Sequence, residues 1–326
     1  MTDPLYTDYT EVSDPERLAA NPRVSIMMVT YLHEDYLAAA IEGIAAQQTD
    51  FEFELIVAED CSPDGTLDVA LAMQKKYPHF VRVIYSPQNK GAGRNTLLAM
   101  SLCRGEYFGL CEGDDLWIDE GKLARQVAVL DARPEVDLSF TGGYRLYADG
   151  ARVPEWDWGP EPRVVPAREL LGTFGWPAPT ASLVLRFSAI RRLPNWFGQT
   201  KWGDLVLIIA GSVRGGAHYD PARTICYRVA HPSSFTVQLQ QAAAAERIAY
   251  FEDAIEKLAD TCGFYGLPRR DVLHRINDYR LSLAKLQLAE GMRMRAIRTL
   301  ASVSPLFVAK GFARRLRKLV TPSGIA

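Results

Sequence analysis

Residues 112–115 read Glu-Gly-Asp-Asp, three carboxylates in four positions, directly after the apolar run Phe108-Gly109-Leu110-Cys111. Like charges this close repel one another, so such a cluster usually needs a cation to hold it together. Carboxylate oxygens suit a hard divalent ion such as Mg²⁺ or Mn²⁺, which can in turn grip a diphosphate. The plain alternative for an isolated Asp-Asp pair is a solvated acidic turn. A second acid, Asp204, stands after Trp202-Gly203 and ahead of the apolar run Leu205-Val206-Leu207-Ile208-Ile209. On local sequence alone Asp204 suits a helix N-cap. A first-turn carboxylate held by backbone N–H groups also stays ionised near neutral pH, which a general base requires.

The elements that must position these acids alternate regularly. Val24–Thr30, Phe53–Ala58, Val81–Tyr85 and Glu106–Cys111 are apolar runs of strand length. Between them, Asp35–Gln48, Asp64–Lys76 and Gly91–Cys103 carry helical spacing, as in Tyr36, Leu37, Ala40, Ile41 and Ile44. Such alternation with short connections predicts right-handed βαβ units and a mostly parallel sheet covered by helices on both faces. Ligands of such sheets bind beyond the carboxyl ends of the strands. Polar residues collect at those ends: Thr30-Tyr31, Glu59-Asp60, Asn89-Lys90 and Glu112–Asp115. Four loops build one site.

In order and spacing, Val24-Ser25-Ile26…Thr30-Tyr31, Glu59-Asp60-Cys61-Ser62-Pro63-Asp64-Gly65-Thr66, Asn89-Lys90-Gly91…Arg94-Asn95, Gly105-Glu106-Tyr107 and Glu112-Gly113-Asp114-Asp115 resemble the signature series of family 2 glycosyltransferases with the GT-A fold. The resemblance covers roughly residues 22 to 135. It implies a Rossmann-like α/β domain, a nucleotide-diphospho-sugar donor, a divalent cation (Mn²⁺ or Mg²⁺) and transfer with inversion at the anomeric carbon. Carried over by position, Thr30 and Tyr31 would sit against the base and ribose, Asp60 would accept a hydrogen bond from the base, and Arg94 would face the diphosphate. Glu112 and Asp114 correspond to the two acids of the DxD-type motif. Asp114, Asp115 and His231 are the metal candidates. Glu59 and Glu112 stand where Asp is usual, which leaves open which of Glu112, Asp114 and Asp115 touches the ion. The family carries its base on an acid in a Gly-Asp setting ahead of a helix, and this makes Asp204 the candidate catalytic base.

The second half supplies the acceptor side. Val136–Tyr144 and Pro179–Arg186 read as strands, and the polar, Pro- and Trp-containing stretch between them through Arg168 as a hairpin or loop over the site. Family members line the acceptor pocket near the second of these strands, which makes Thr180 a candidate acceptor contact; Trp117 and Trp202 are candidates as apolar faces for sugar rings, with ordinary packing as the alternative for each indole. His231 follows the last strand, where some GT-A enzymes place a metal- or phosphate-contacting His; a surface or hydrogen-bonding role is the alternative. His33 and His218 show no companion pattern.

The composition fits a soluble enzyme with more than one domain: 326 residues, 48% hydrophobic, net charge −2. Five cysteines without a CxxC indicate neither a disulfide framework nor a zinc site, and read as reduced thiols of a cytoplasmic protein. The polar amino terminus lacks a signal-peptide core, and no apolar run reaches the roughly 18 residues of a membrane span. Gly91-Ala92-Gly93 follows the third strand and has Thr96 in place of a last glycine, too poor a match for a dinucleotide fingerprint.

The expected organisation is a GT-A catalytic domain over 1–234 (22–135 for the nucleotide-sugar, 136–234 for the acceptor) and a helical region over 235–326. Glu246–Thr261 and Arg269–Glu290 have helical periodicity, broken at residues 263–268. Beyond Glu290 stand eight Lys/Arg and no acid, against 29 basic and 39 acidic residues before it. Residues 304 to 320 interleave these charges with apolar residues, which suits an amphipathic helix on the anionic inner face of a cell membrane; docking on the acidic body or a homodimer contact are the alternatives. The expected function is sugar transfer to a saccharide acceptor, lipid-linked, in bacterial-type surface polysaccharide assembly. The alternative is a non-catalytic nucleotide-sugar-binding protein. No nucleic-acid partner is implied.

Overall fold

A computed structural model describes residues 8–304 except 174, 230, 232 and 233. The expected amphipathic segment 304–320 therefore lies outside the described residues, apart from Ser304. Strand β1 (Thr10–Val12) is followed by β2 (Val24–Thr30), α1 (Leu37–Ala45), β3 (Phe53–Glu59), α2 (Thr66–Lys76), β4 (Val81–Tyr85), α3 (Ala92–Ser101) and β5 (Tyr107–Leu110). Next come β6 (Leu116–Trp117), α4 (Lys122–Ala132), β7 (Leu138–Leu146), β8 (Arg152–Glu155), β9 (Arg163–Val165) and α5 (Ala167–Leu171). The chain continues through β10 (Val184–Arg186), α6 (Gly203–Ser212), β11 (Ala217–Arg228), α7 (Phe235–Gln241), α8 (Ala244–Tyr265), α9 (Arg269–Ala289) and α10 (Arg293–Ala301).

The strands form one mixed sheet in the order β1-β4-β3-β2-β5-β10-β7-β11-β6, with β8 on β7 and β9 on β11. Its core is parallel: β2 pairs with both β3 and β5, and β3 with β4. Ile26, Met28, Leu55, Val57, Val81 and Val83 are buried in it, the near-continuous apolar run expected of strands covered on both faces. Helix α1 closes one side with Leu37, Ala40, Ile41 and Ile44, one stripe of a 3.6-residue period. Beyond β5 the sheet turns antiparallel through β10, then β11 runs parallel to β7. All strands from β2 to β5 thus end on one edge, and the loops that leave them form the site.

Two expectations need correction. The strand foreseen over Pro179–Arg186 is instead a 3₁₀ turn at Thr180–Ser182 followed by the short β10. Proline at 177 and 179 has no N–H to give a ladder, so pairing begins only at Val184. The stretch foreseen as a hairpin or loop contains a hairpin, β7 with β8, but its far part, β9, pairs with β11. Helix α4 is an element beyond those expected from the sequence; its Leu123, Val127 and Leu130 repeat at helical spacing and are buried.

Two compact units divide the chain: the described residues up to Ala167 with Trp176–Gln238, and Arg168–Gly175 with the described residues from Leu239 onward. The first holds the sheet. In the second, α8 and α9 bury Ile248, Leu283 and Leu286 against one another, with Phe251 and Ile255 at the margin. Helix α8 runs past the expected break to Tyr265, where Gly266 adopts the left-handed conformation and closes the helix. Arg275 of α9 donates to the Gly175 carbonyl at 2.5 Å. No helix among the described residues is long and apolar enough to cross a membrane. The five cysteines are all free thiols, three of them buried.

Candidate active site

The loop after β2 carries Thr30, buried, and Tyr31, exposed. Leu32 takes a positive φ of 60° there, and in the loop after β3 Cys61 takes 59°. Such left-handed geometry at residues other than glycine costs about 1–3 kcal/mol and persists where surrounding bonds over-determine it. Those bonds are present. Leu32 N–H donates to Ser62 Oγ (3.1 Å), and His33 N–H to Thr66 Oγ1 (2.9 Å). Glu59, longer than the usual Asp, folds its carboxylate back onto Cys61 N–H (3.0 Å) and Ser62 N–H (2.6 Å).

Asp60, expected to meet the base, accepts from Lys90 N–H (2.7 Å) at one oxygen and from Gly91 N–H (2.9 Å) at the other. Burial raises its pKa while those two donors oppose the rise. It therefore clamps two loops together, and a base would have to use its remaining lone pairs. Arg94 lies exposed in the first turn of α3.

The acidic segment runs beside β2, with Cys111 N–H on the Met27 carbonyl and Gly113 N–H on that of Val29. Asp114 is its focus. One carboxylate oxygen lies 2.9 Å from His231 Nε2 and 3.7 Å from His33 Nε2, and His33 Nδ1 lies 3.2 Å from Thr30 Oγ1. Burial alone would raise the Asp114 pKa, but the hydrogen bond from His231 and the two imidazoles hold it below the usual carboxylate value. Glu112 behaves oppositely: burial, then the charges of Asp114 and Asp204, push it up to about 8. Its Oε2 is buried with no hydrogen-bond partner. Asp115 is also raised, by burial and its two acidic neighbours, and one of its oxygens accepts the Arg228 N–H at 3.1 Å. The Arg228 side chain donates from Nε to the Asp114 carbonyl and lies 4.5 Å from the Tyr36 ring centroid.

Gly113 sits where only hydrogen fits. A Cβ there would come within 2.6 Å of Thr30 Oγ1 and 2.8 Å of His33 Nδ1. Gly113→Ala is expected to push the acidic segment off the β2 loop and cost about 1–3 kcal/mol, seen as a lower melting temperature. An unchanged melting temperature with unchanged activity would show that these loops move apart freely.

Asp204 lies in the first turn of α6 rather than at its cap, since the helix begins at Gly203 and Trp202 holds the N-cap geometry. Thr180 Oγ1 donates to its Oδ2 (3.0 Å), Leu205 N–H to its Oδ1 (2.9 Å), and the Trp176 side chain donates as well. Burial nevertheless raises its pKa, against the expectation of an ordinary ionised first-turn carboxylate. Glu112 feels its charge, so the two acids lie near enough to interact.

Thr180 is thus brought to Asp204, whereas the two candidate indoles are not free to stack on a sugar. Trp117 is a core residue, its Nε1 donating to the Ala181 carbonyl and Lys122 Nζ 3.9 Å from its ring centroid. Burial lowers the Lys122 pKa to about 7. Trp202 is 2% exposed and packs on Trp196 at 5.7 Å. His33, Trp176 and Arg228 are the residues that sequence spacing missed. Their partners are supplied by other loops, so no local pattern announces them.

A partnerless buried carboxylate oxygen on Glu112, beside an ionised Asp114 and an imidazole, fits a hard divalent cation. Among the described residues no three His, Cys, Asp or Glu side chains already form a metal cage.

The model of glycosyl transferase family 2 matches residues 25–191, half of the chain. The chain belongs to that family. The putative teichuronic acid biosynthesis glycosyltransferase TuaG of Bacillus subtilis is 29% identical over 140 residues, 43% of this chain and 54% of that protein. Among solved structures, S. aureus TarS in complex with UDP-GlcNAc superposes with a TM-score of 0.57 at 14% identity, over 85% of this chain and 89% of that one. The mannosyltransferase PcManGT of Pyrobaculum calidifontis, in complex with GDP-Man and Mn²⁺, gives 0.56 at 15% identity, over 95% and 83%. At such identities the two structures speak for the fold alone, which is GT-A-like. The matched segment spans only 38% to 61% of the length of the first curated relatives.

Proposed function

We propose that the chain is an inverting, divalent-cation-dependent glycosyltransferase that moves a sugar from a nucleotide diphosphate to a saccharide acceptor. One observation carries the reading: within a family 2 chain, Glu112, beside Asp114 at the end of a parallel strand, feels the charge of a separately held carboxylate, Asp204. In this reading Asp204 takes the proton of the acceptor hydroxyl as that oxygen attacks the anomeric carbon. The bond from that carbon to the diphosphate breaks on the opposite side, and the bonding pair leaves with the diphosphate. Thr180 and Trp176 orient the base by donating to it. Asp114 and Glu112, with His231 beside Asp114, would hold Mn²⁺ or Mg²⁺, which supplies positive charge for the leaving diphosphate. Such ions keep few protein ligands and complete their shell with water and phosphate oxygens. Thr30, Tyr31 and Asp60 would border the nucleoside, and Arg94 the diphosphate.

The complexes of TarS with UDP-GlcNAc and of PcManGT with GDP-Man and Mn²⁺ support a donor of this class and leave the base open. The relationship to TuaG supports a role in cell-surface polysaccharide assembly, and the basic carboxyl-terminal sequence a lipid-linked acceptor. A panel of nucleotide sugars, each with Mn²⁺ or Mg²⁺, tests the reading. The cognate donor should be slowly hydrolysed and should raise the melting temperature by mass action. Stabilisation without turnover on any acceptor would leave a binding protein. The product of an α-linked D-sugar donor should be β-linked; a coupling constant in its NMR spectrum showing retention would discard the single-base mechanism.

A further inference from the structure

Helix α10 packs on α9 by one side only. Ala296 and Val303 are buried, Thr299 Oγ1 donates to Gln287 Oε1 (2.9 Å), and Arg280 Nη1 donates to the Ser302 carbonyl (2.7 Å). With 3.6 residues per turn, these positions leave Met294 and Ile297 turned away from α9 and Leu300 at the flank. Met294 is 66% exposed, Ile297 56% and Leu300 41%, and Leu288 and Met292 continue the patch at 49% and 36%. Half of the exposed large hydrophobic side chains among the described residues fall between positions 288 and 300. That is a contiguous face rather than the scatter normal for a surface.

The charge around it is predominantly positive, exposed Glu290 being the one acid between positions 285 and 300. Arg293, Arg295 and Arg298 share the helix, exposed Lys285 precedes Leu288, and from Gly291 to the last residue there is no acid. Residues 305–326 carry five more Lys/Arg. That excess disfavours the chain's own tail as the cover, and a second copy meeting this face symmetrically would set arginine against arginine. An anionic lipid surface complements both features: apolar side chains enter the headgroup boundary, while the arginine stems lie along the apolar surface with their guanidinium groups among the phosphates.

We propose that the Met294–Ile297–Leu300 face of α10, with Arg293, Arg295 and Arg298, docks the protein on an anionic membrane surface. The test is sedimentation of the full chain with phosphatidylglycerol/phosphatidylcholine vesicles against phosphatidylcholine alone. The wild type should bind the anionic vesicles, salt should release it, and the zwitterionic ones should not hold it. Changing the three arginines together (Arg293→Gln, Arg295→Gln, Arg298→Gln) should weaken partition about 10²-fold, each basic group being worth roughly fivefold near such a surface. Met294→Ser, Ile297→Ser and Leu300→Ser together should weaken it at least about tenfold. Because all six side chains are exposed, melting temperature and donor turnover in solution should hold. The vesicle readout is therefore independent of the sugar-transfer reading. Unchanged partition in both triple variants overturns the proposal. So does a serine variant that alters only self-association, which assigns the face to a second copy. A serine variant that keeps vesicle binding but speeds amide exchange after residue 304 assigns it to the tail.

Discussion

Asp204→Asn should lower turnover by about 10²-fold or more while donor affinity stays unchanged. The amide cannot take a proton from the acceptor hydroxyl, but it fills the same space: its oxygen can still accept the Leu205 N–H, and its NH2 can donate to the Thr180 hydroxyl oxygen. The pH dependence makes the expectation sharper. Burial raises the Asp204 pKa, so the acid limb of the turnover profile should lie above the ordinary aspartate range, with activity gained as pH rises through it. The Thr180 hydroxyl donates to the ionised form and so lowers that pKa. Thr180→Val should then move the limb to higher pH and leave the donor KM unchanged. A limb that stays in place, or an Asp204→Asn protein that folds, binds donor and turns over normally, would make Asp204 a structural residue of the α6 first turn.

The parallel half of the sheet was legible because each of its strands is buried on both faces. Val24–Thr30, Phe53–Glu59 and Val81–Tyr85 can hardly be anything else, and helices with a stripe such as Leu37, Ala40, Ile41 and Ile44 must cover them. The antiparallel half was less so. Pro177 and Pro179 shorten β10, and β9 pairs with a strand some fifty residues later, a long-range choice that no local alternation encodes.

The same division runs through the candidate site. Glu112, Asp114 and Asp204 announce themselves by charge next to apolar runs. His33 does not, because Asp114 and the edge of Gly113 that give it a role arrive from eighty residues away. Trp117 and Trp202 misled for the opposite reason. An indole near an acid looks the same in sequence whether it lines a pocket or fills the core beneath it, and here Lys122, Ala181 and Trp196 show the core.

Removing Mn²⁺ and Mg²⁺ with a chelator, or making Asp114→Asn, should each abolish transfer almost completely. Charge stabilisation of a leaving diphosphate is typically worth several kcal/mol, so the loss should reach about 10³-fold. The structure separates Asp114 from its neighbour. Asp114 is the acid held ionised, its pKa kept low by His231 and His33, while Asp115 is pushed toward the protonated form and gives an oxygen to the Arg228 N–H. Asparagine is close in shape and charge to a protonated aspartate and still offers that oxygen. Asp115→Asn should therefore keep activity within about tenfold of wild type, well short of the loss at 114, since a neutral acceptor retains most of one hydrogen bond. Calorimetric titration with Mn²⁺ in the absence of donor gives a readout apart from turnover: affinity should fall strongly for Asp114→Asn and little for Asp115→Asn. Equal losses at the two positions would place Asp115 on the ion, which requires it to give up the Arg228 N–H when the cation arrives. Full activity of Asp114→Asn in the presence of chelator would remove the cation from the reaction and leave the acid cluster as a structural link between the ends of β5 and β11.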